Sequence, residues 1–127
     1  SLAGRRLLLA EDNGLNAEIA MTILQDANAE VELAADGKIA VDMLKDAPVG
    51  YYDAILMDIQ MPNMNGYQAT RAIRKLSDER AKIPIIAMTA NAFEEDRQAA
   101  LAAGMDDYVA KPVEISELFR TIMKNLK

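Results

Sequence analysis

The feature that most constrains the fold is a regular alternation of short apolar runs with helical patterns. Five strand-like runs occur along the 127 residues, at Arg6–Ala10, Glu30–Ala34, Ala54–Met57, Ile83–Met88 and Asp107–Ala110. A helical pattern follows each run, as in the repeat of Leu15, Ile19 and Ile23 at i, i+4 and i+8. Strands that alternate with helices indicate βαβ units around a parallel sheet. The sequence therefore predicts one α/β domain with helices on both faces of the sheet.

Composition excludes several classes of function. The net charge of −6 argues against a nucleic-acid surface, which requires a basic patch. The chain contains no cysteine, which rules out disulfides and thiolate metal sites, and no histidine, which rules out imidazole catalysis and a phosphohistidine of its own. The apolar runs are too short for a membrane span or a signal peptide. We expect a soluble, cytoplasmic domain that makes no membrane contact itself.

Polar residues with complementary chemistry follow the predicted strands. Glu11 and Asp12 follow the first strand, and Asp58, Thr89 and Lys111 end or follow the third, fourth and fifth. In an open parallel sheet the carboxyl ends of the strands share one edge, and ligands bind in the crevice where the strand order reverses. We therefore expect these side chains to crowd together there.

Carboxylates crowded at one edge require a compensating cation. Two like charges about 4 Å apart repel by about 4 kcal/mol at an effective dielectric constant near 20. Oxygen ligands without histidine or cysteine favour a hard ion, and a shallow site with few carboxylates favours Mg²⁺. A carboxylate beside a divalent ion, a lysine and a hydroxyl suits covalent capture of a phosphoryl group. The cationic groups would neutralise the phosphoryl oxygens in the transition state.

Four motifs give the sequence a specific resemblance. They are LLLAEDN (Leu7–Asn13), ILMDIQMPNMNG (Ile55–Gly66), IPIIAMTA (Ile83–Ala90) and AGMDDYVAKP (Ala103–Pro112), and an amphipathic helix follows. In this order and spacing the chain resembles a response-regulator receiver domain of two-component signalling, chemotaxis-regulator-like and of the kind found in hybrid sensor histidine kinases. The resemblance implies a flavodoxin-like (βα)5 three-layer sandwich with a parallel sheet of order 2-1-3-4-5. It covers residues 5–127 and leaves residues 1–4 as a disordered terminus or an appended remnant.

The resemblance also implies the metal site and the phospho-acceptor. Asp58 is the expected acceptor, and it would hold Mg²⁺ together with Glu11, Asp12 and the backbone carbonyl of Gln60. Such a domain is a signalling phospho-acceptor rather than an enzyme. It would catalyse only its own phosphoryl transfer and a slow autodephosphorylation.

The remaining implied residues bind the phosphoryl group and transmit its effect. Lys111 would pair with the phosphate, Thr89 would be the switch hydroxyl and Tyr108 the switch aromatic. The surface around the fourth and fifth helices would change on phosphorylation. The expected phosphodonor is a histidine kinase or a histidine phosphotransfer domain. We expect a monomer or weak dimer, free in the cytoplasm or as the cytoplasmic part of a membrane-anchored hybrid kinase.

Other interpretations of the same residues exist. Asp58 considered alone is more often a turn residue or helix cap, and Tyr108 is equally a half-buried strand residue. A free-standing Mg²⁺-dependent phosphatase or phosphotransferase would need a cap or substrate pocket. An FMN-binding flavodoxin would need a hydroxyl- and glycine-rich loop where Glu11 and Asp12 stand. A degenerate receiver that only binds partners would not need the set of Asp58, Thr89 and Lys111.

Overall fold

The structure is a computed structural model that describes residues 2–90 and 94–126. Its elements, in chain order, are β1 (Arg6–Ala10), α1 (Gly14–Asp26), β2 (Glu30–Ala34), α2 (Gly37–Asp46), β3 (Ala54–Asp58), α3 (Gly66–Arg74), a 3₁₀ turn (Glu79–Lys82), β4 (Ile85–Thr89), α4 (Glu94–Ala103), β5 (Asp107–Ala110) and α5 (Ile115–Asn125). The strands form one parallel sheet in the order β2-β1-β3-β4-β5. This confirms the predicted flavodoxin-like fold.

Each face of the sheet carries its own buried core. Along β1, Leu8 points to the core shared with α2, α3 and α4, whereas Leu7 and Leu9 point to the core shared with α1 and α5. Successive strand residues face opposite sides of a sheet, so a strand that is covered on both faces needs apolar residues at every position. This explains the continuous apolar runs. It also makes the sheet a rigid support for the residues at the carboxyl ends of its strands.

β3 ends on Asp58, as the sequence indicates, so that this carboxylate belongs to the strand itself. The start of β4 differs from the predicted start. β4 begins at Ile85 rather than at Ile83. Pro84 has no backbone N–H to give to a ladder, although its carbonyl accepts a hydrogen bond from Ile55 N.

Leu2, the first described residue, is packed against the domain. The side chain of Leu2 is 1% exposed, and its backbone N–H donates to the carbonyl of Ala27 at 2.8 Å. The expectation of a loose segment over residues 1–4 therefore does not hold for Leu2. Within residues 2–90 and 94–126, no helix has both the length and the apolar character needed to cross a membrane.

Candidate functional site

The strand register brings the polar residues to one edge of the sheet. Ala10 of β1 pairs with Met57 of β3, so Glu11 and Asp58 come next on adjacent strands. Thr89 of β4 pairs with Ala110 of β5, and Lys111 follows Ala110. From β1 the chain adds β2 on one side, and it then adds β3, β4 and β5 on the other side. The strand order therefore reverses between β1 and β3, the position at which open α/β sheets bind ligands. The predicted convergence of these strand ends is therefore present.

Three carboxylates form a tight cluster at this edge. One oxygen from each of Glu11, Asp12 and Asp58 lies within 4.8 Å of the others. Glu11 and Asp58 are 3% and 5% exposed, whereas Asp12 faces solvent. A set of carboxylate oxygens that is open on one side suits a hard divalent cation that keeps some of its water. Gln60 lines the same cavity, and coordination by its carbonyl remains a prediction.

Lys111 supplies one positive charge to this cluster. Its Nζ lies 2.9 Å from Oε2 of Glu11 and 3.0 Å from Oδ1 of Asp58, and its side chain is 18% exposed. Desolvation lowers the pKa of Lys111, but hydrogen bonds to Glu11 and Asp58 outweigh it, so that the net pKa is raised. The lysine therefore stays charged and leaves the three carboxylates under-compensated.

Burial changes the acidity of Asp58. Desolvation raises the pKa of this carboxyl to about 6, repulsion from Glu11 adds to the effect, and the hydrogen bond from Lys111 opposes it. In a structure without a divalent cation, the ionised form of Asp58 is thus disfavoured relative to the same group in the unfolded chain. A carboxylate held in this way gains more from a nearby positive charge than an exposed one does.

We expect Asp58→Asn to stabilise the metal-free protein at pH 8. The folded protein binds the Asp58 proton more tightly than the unfolded chain, so the parent loses stability as the pH rises from 3.8 through about 6. At about 1.4 kcal/mol per pKa unit, the rise from 3.8 to about 6 means that the variant gains about 3 kcal/mol at pH 8 and little below pH 4. Urea unfolding in EDTA at both pH values measures this gain. Asp26→Asn, at an exposed position, is the control, and an equal gain there would contradict the explanation.

The predicted switch residues lie on the neighbouring strands. Thr89 ends β4, is 8% exposed and lines the cavity together with Asp58 and Lys111. Tyr108 lies on β5, is half-buried, and has the guanidinium carbon of Arg97 4.7 Å from its ring centroid. Because Arg97 belongs to α4, this cation–π contact ties α4 to β5 at the predicted switch aromatic.

Two residues near the site were not singled out from the sequence. Asp96 of α4 lines the cavity, but the weak apolar pattern of α4 does not indicate which face it turns to the sheet. Asn63 lies in the β3–α3 loop with a φ of +66° and contacts Asp36 at the start of α2. The pair Asp36-Gly37 is recognisable in the sequence as a turn, but its partner in another loop is not.

Comparisons with known proteins agree with this geometry. A family model described as the response regulator receiver domain matches residues 7–123. The chain is 41% identical over 121 residues to hybrid signal transduction histidine kinase I of Dictyostelium discoideum, covering 93% of this chain and 7% of that protein. It is 39% identical over 121 residues to sensor protein GacS of Pseudomonas syringae, covering 94% of this chain and 13% of that protein. It thus spans a small part of these relatives.

Solved structures show the same architecture. The receiver domain of a sensor histidine kinase from Pseudomonas aeruginosa, with a magnesium ion coordinated in its active site cleft, is 43% identical with a TM-score of 0.87, covering 97% of this chain and 98% of that one. The receiver domain of Ssk1 from Saccharomyces cerevisiae was co-crystallised with the histidine phosphotransfer protein Ypd1. It is 30% identical to this chain with a TM-score of 0.84, and the match covers 95% of this chain and 88% of that one. Because the family model matches residues 7–123, most of the chain, this chain belongs to the response regulator receiver domain family of two-component signalling.

Proposed function

We propose that this receiver domain accepts a phosphoryl group on Asp58 from a partner phosphohistidine. The observation that carries the proposal is a buried carboxylate at the end of β3 that lies 3.0 Å from Lys111 Nζ and within 4.8 Å of oxygens of Glu11 and Asp12. A carboxylate oxygen of Asp58 attacks the phosphorus, the phosphorus–nitrogen bond breaks, and the imidazole leaves with its electron pair. The buried strand holds the nucleophile in place for this step.

The same site is proposed to bind Mg²⁺ through Glu11, Asp12, Asp58 and the carbonyl of Gln60. The cluster fits this ion because it offers only hard oxygen ligands and carries more negative charge than Lys111 can neutralise. When bound, the ion supplies positive charge for the transferring phosphoryl oxygens. Lys111 is placed to contact one of those oxygens by exchanging its contact with Asp58 for one with the phosphoryl group.

The proposed phosphodonor is a histidine kinase or a histidine phosphotransfer domain. One matched relative is a hybrid histidine kinase, and a structurally similar receiver has been crystallised with a phosphotransfer protein. We place the domain in the cytoplasm, free or as part of a membrane-anchored hybrid kinase. Slow loss of the phosphoryl group to water would be the only turnover that the domain catalyses itself.

Incubation with acetyl phosphate tests the proposed acceptor function. With Mg²⁺ present, intact mass spectrometry should show one added phosphoryl group per chain, because a small donor needs only the acceptor and its cations. The product should disappear in mild base, as an acyl phosphate does. EDTA should suppress labelling. A base-stable adduct, or equal labelling in EDTA, would contradict the proposal.

We further propose that Thr89 and Tyr108 transmit the modification to the surface built from α4, β5 and α5. A phosphoryl group on Asp58 presents strong acceptor oxygens to the hydroxyl of Thr89, which lines the same cavity. Movement of Thr89 toward them would open space beside β4 for the ring of Tyr108. The contact between Arg97 and Tyr108 would couple this ring to α4. One phosphoryl group can shift the two states only if they lie within a few kcal/mol.

We expect Thr89→Ala to separate phosphorylation from this switch. Beryllofluoride with Mg²⁺, an aspartyl-phosphate mimic, should shift the amide NMR signals of Thr89, α4 and Tyr108 in the parent. The variant should still accept phosphate from acetyl phosphate but lose most of the shift at Tyr108, because the hydroxyl that moves is gone. Thr22→Ala, on the exposed side of α1, should keep the full response. An unchanged Tyr108 shift in Thr89→Ala would exclude the hydroxyl as the coupling element.

A further inference from the structure

The loop between β3 and α3, residues 59–65, carries Gln60 from the acceptor strand to the next helix. Its two ends are anchored by backbone hydrogen bonds. Ile59 N donates to Met88 O at 3.2 Å, and Gly66 N donates to Ile59 O at 2.9 Å. The proposed metal ligand lies immediately after the first anchor, so its position depends on what holds the rest of the loop.

The middle of this loop is held by the start of α2. Asp36 is the N-cap of α2, and its Oδ1 accepts from Ile39 N at 2.8 Å. Its Oδ2 accepts from Nδ2 of Asn63 at 2.8 Å. Asp36 is 6% exposed, and the Asn63 bond together with the Ile39 bond lowers the pKa of its carboxyl. The carboxylate is therefore ionised at neutral pH, and hydrogen bonds to an ionised acceptor are stronger than neutral ones.

A second contact joins the same two segments through their backbones. Gly37 N donates to Met64 O at 3.1 Å. A Cβ on residue 37 would collide with the Met64 carbonyl oxygen, so only glycine permits this approach. Asn63 has a φ of +66°, a left-handed conformation that asparagine tolerates better than most residues. Asparagine at position 63 thus provides both the required backbone conformation and the amide donor.

We infer that Asn63 and Asp36 are positioning residues that hold the β3–α3 loop, and with it the Gln60 carbonyl, in the geometry that binds the metal ion. This inference rests on the metal site of the proposed function. Asn63 contacts neither the ion nor the phosphoryl group in this scheme, and it acts through the loop backbone. Loss of a residue that orients a metal ligand typically lowers metal affinity by about 10- to 100-fold. We expect about tenfold, since Gln60 is only one of the four proposed ligands.

A matched pair of glycine substitutions tests the inference. Asn63→Gly keeps the positive φ and removes the amide. Asn28, in the turn after α1, has a φ of +72° and lies outside the loop, so Asn28→Gly makes the same change elsewhere. We expect calorimetric titration with Mg²⁺ to show about tenfold weaker binding for Asn63→Gly and parental binding for Asn28→Gly. Equal affinity for both variants would overturn the inference.

A reciprocal exchange tests whether the hydrogen bond itself is responsible. Asn63→Asp alone places a second carboxylate against that of Asp36, and the two repel each other. This variant should weaken Mg²⁺ binding at least as much as Asn63→Gly. Adding Asp36→Asn restores one donor and one acceptor, keeps an N-cap residue for α2, and should recover most of the affinity. Failure of the double variant to recover, while it melts like the parent in EDTA, would overturn the role of this pair.

Hydrogen exchange on the metal-free protein separates this inference from the proposed function. Amides of the β3–α3 loop should exchange faster in Asn63→Gly than in the parent or in Asn28→Gly, with no ion or phosphodonor present. Unchanged exchange in the loop would contradict the inference even if the parent binds Mg²⁺ and accepts phosphate. A parent that binds no Mg²⁺ would contradict the proposed metal site, and the inference about metal positioning would fall with it.

Discussion

Asp58→Asn is expected to abolish labelling by acetyl phosphate and Mg²⁺. Both oxygens of Glu11 already have partners, since Oε1 accepts from Asn13 N at 3.1 Å and Oε2 contacts Lys111 at 2.9 Å. Asp12 lies outside the strand and faces solvent. Asp58 alone of the three combines a rigid strand position, burial and a lysine contact at 3.0 Å. Its amide analogue has no anionic oxygen to attack phosphorus, so intact mass should show unmodified protein.

Two controls exclude a trivial loss of labelling. The stability gain expected for Asp58→Asn at neutral pH means that unfolding would not explain an unlabelled variant, and a melting curve verifies this. Asp53 lies just before β3, at the opposite edge of the sheet, where it accepts from Arg6 N at 2.8 Å. Asp53→Asn should therefore label like the parent. Labelling of Asp58→Asn would contradict the assignment of Asp58 as the acceptor.

The convergence of the three carboxylates and Lys111 was predictable because these residues lie at strand ends. Sequence periodicity locates the ends of β1, β3, β4 and β5, and a parallel sheet puts all of them at one edge. The register then fixes which residues are neighbours, as with Ala10 and Met57, which lead directly into Glu11 and Asp58. The strand pattern and the sheet topology thus lead to the same prediction, and the three carboxylates lie together where the strand ends meet.

Features that depend on contact between distant loops were not predictable in this way. The bond between Asp36 and Asn63 joins two loops whose separation is set by how α2 and α3 pack, and a single sequence does not encode that distance directly. Helix faces are a second case. Leu15 and Ile19 of the apolar repeat in α1 are exposed by 67% and 47%, whereas Ala17, Ala20 and Leu24 face the sheet. Small residues permit close packing there, and periodicity alone does not reveal which stripe is buried.

Removal of the lysine is expected to destabilise the protein. Lys111→Met keeps an apolar stem of similar length and deletes a positive charge that contacts both Glu11 and Asp58, at 2.9 and 3.0 Å. Removal of one partner from a fully buried ion pair costs about 3–5 kcal/mol, because the other charge stays buried and unpaired. We expect about 2 kcal/mol in EDTA at pH 8, less than that range because Asp58, whose pKa is already raised to about 6, can take up a proton.

The same reasoning predicts how this loss can be reversed. At pH 5 the folded parent already holds much of its Asp58 in the protonated form, so the cost of Lys111→Met should shrink. Saturating Mg²⁺ should also recover stability, since a divalent cation replaces the missing charge. The control is Lys38→Met, which breaks an exposed pair with Asp42 at 3.0 Å and should cost less than about 0.5 kcal/mol at any pH. A loss for Lys111→Met that is independent of both pH and Mg²⁺ would show that the lysine packs rather than compensates charge.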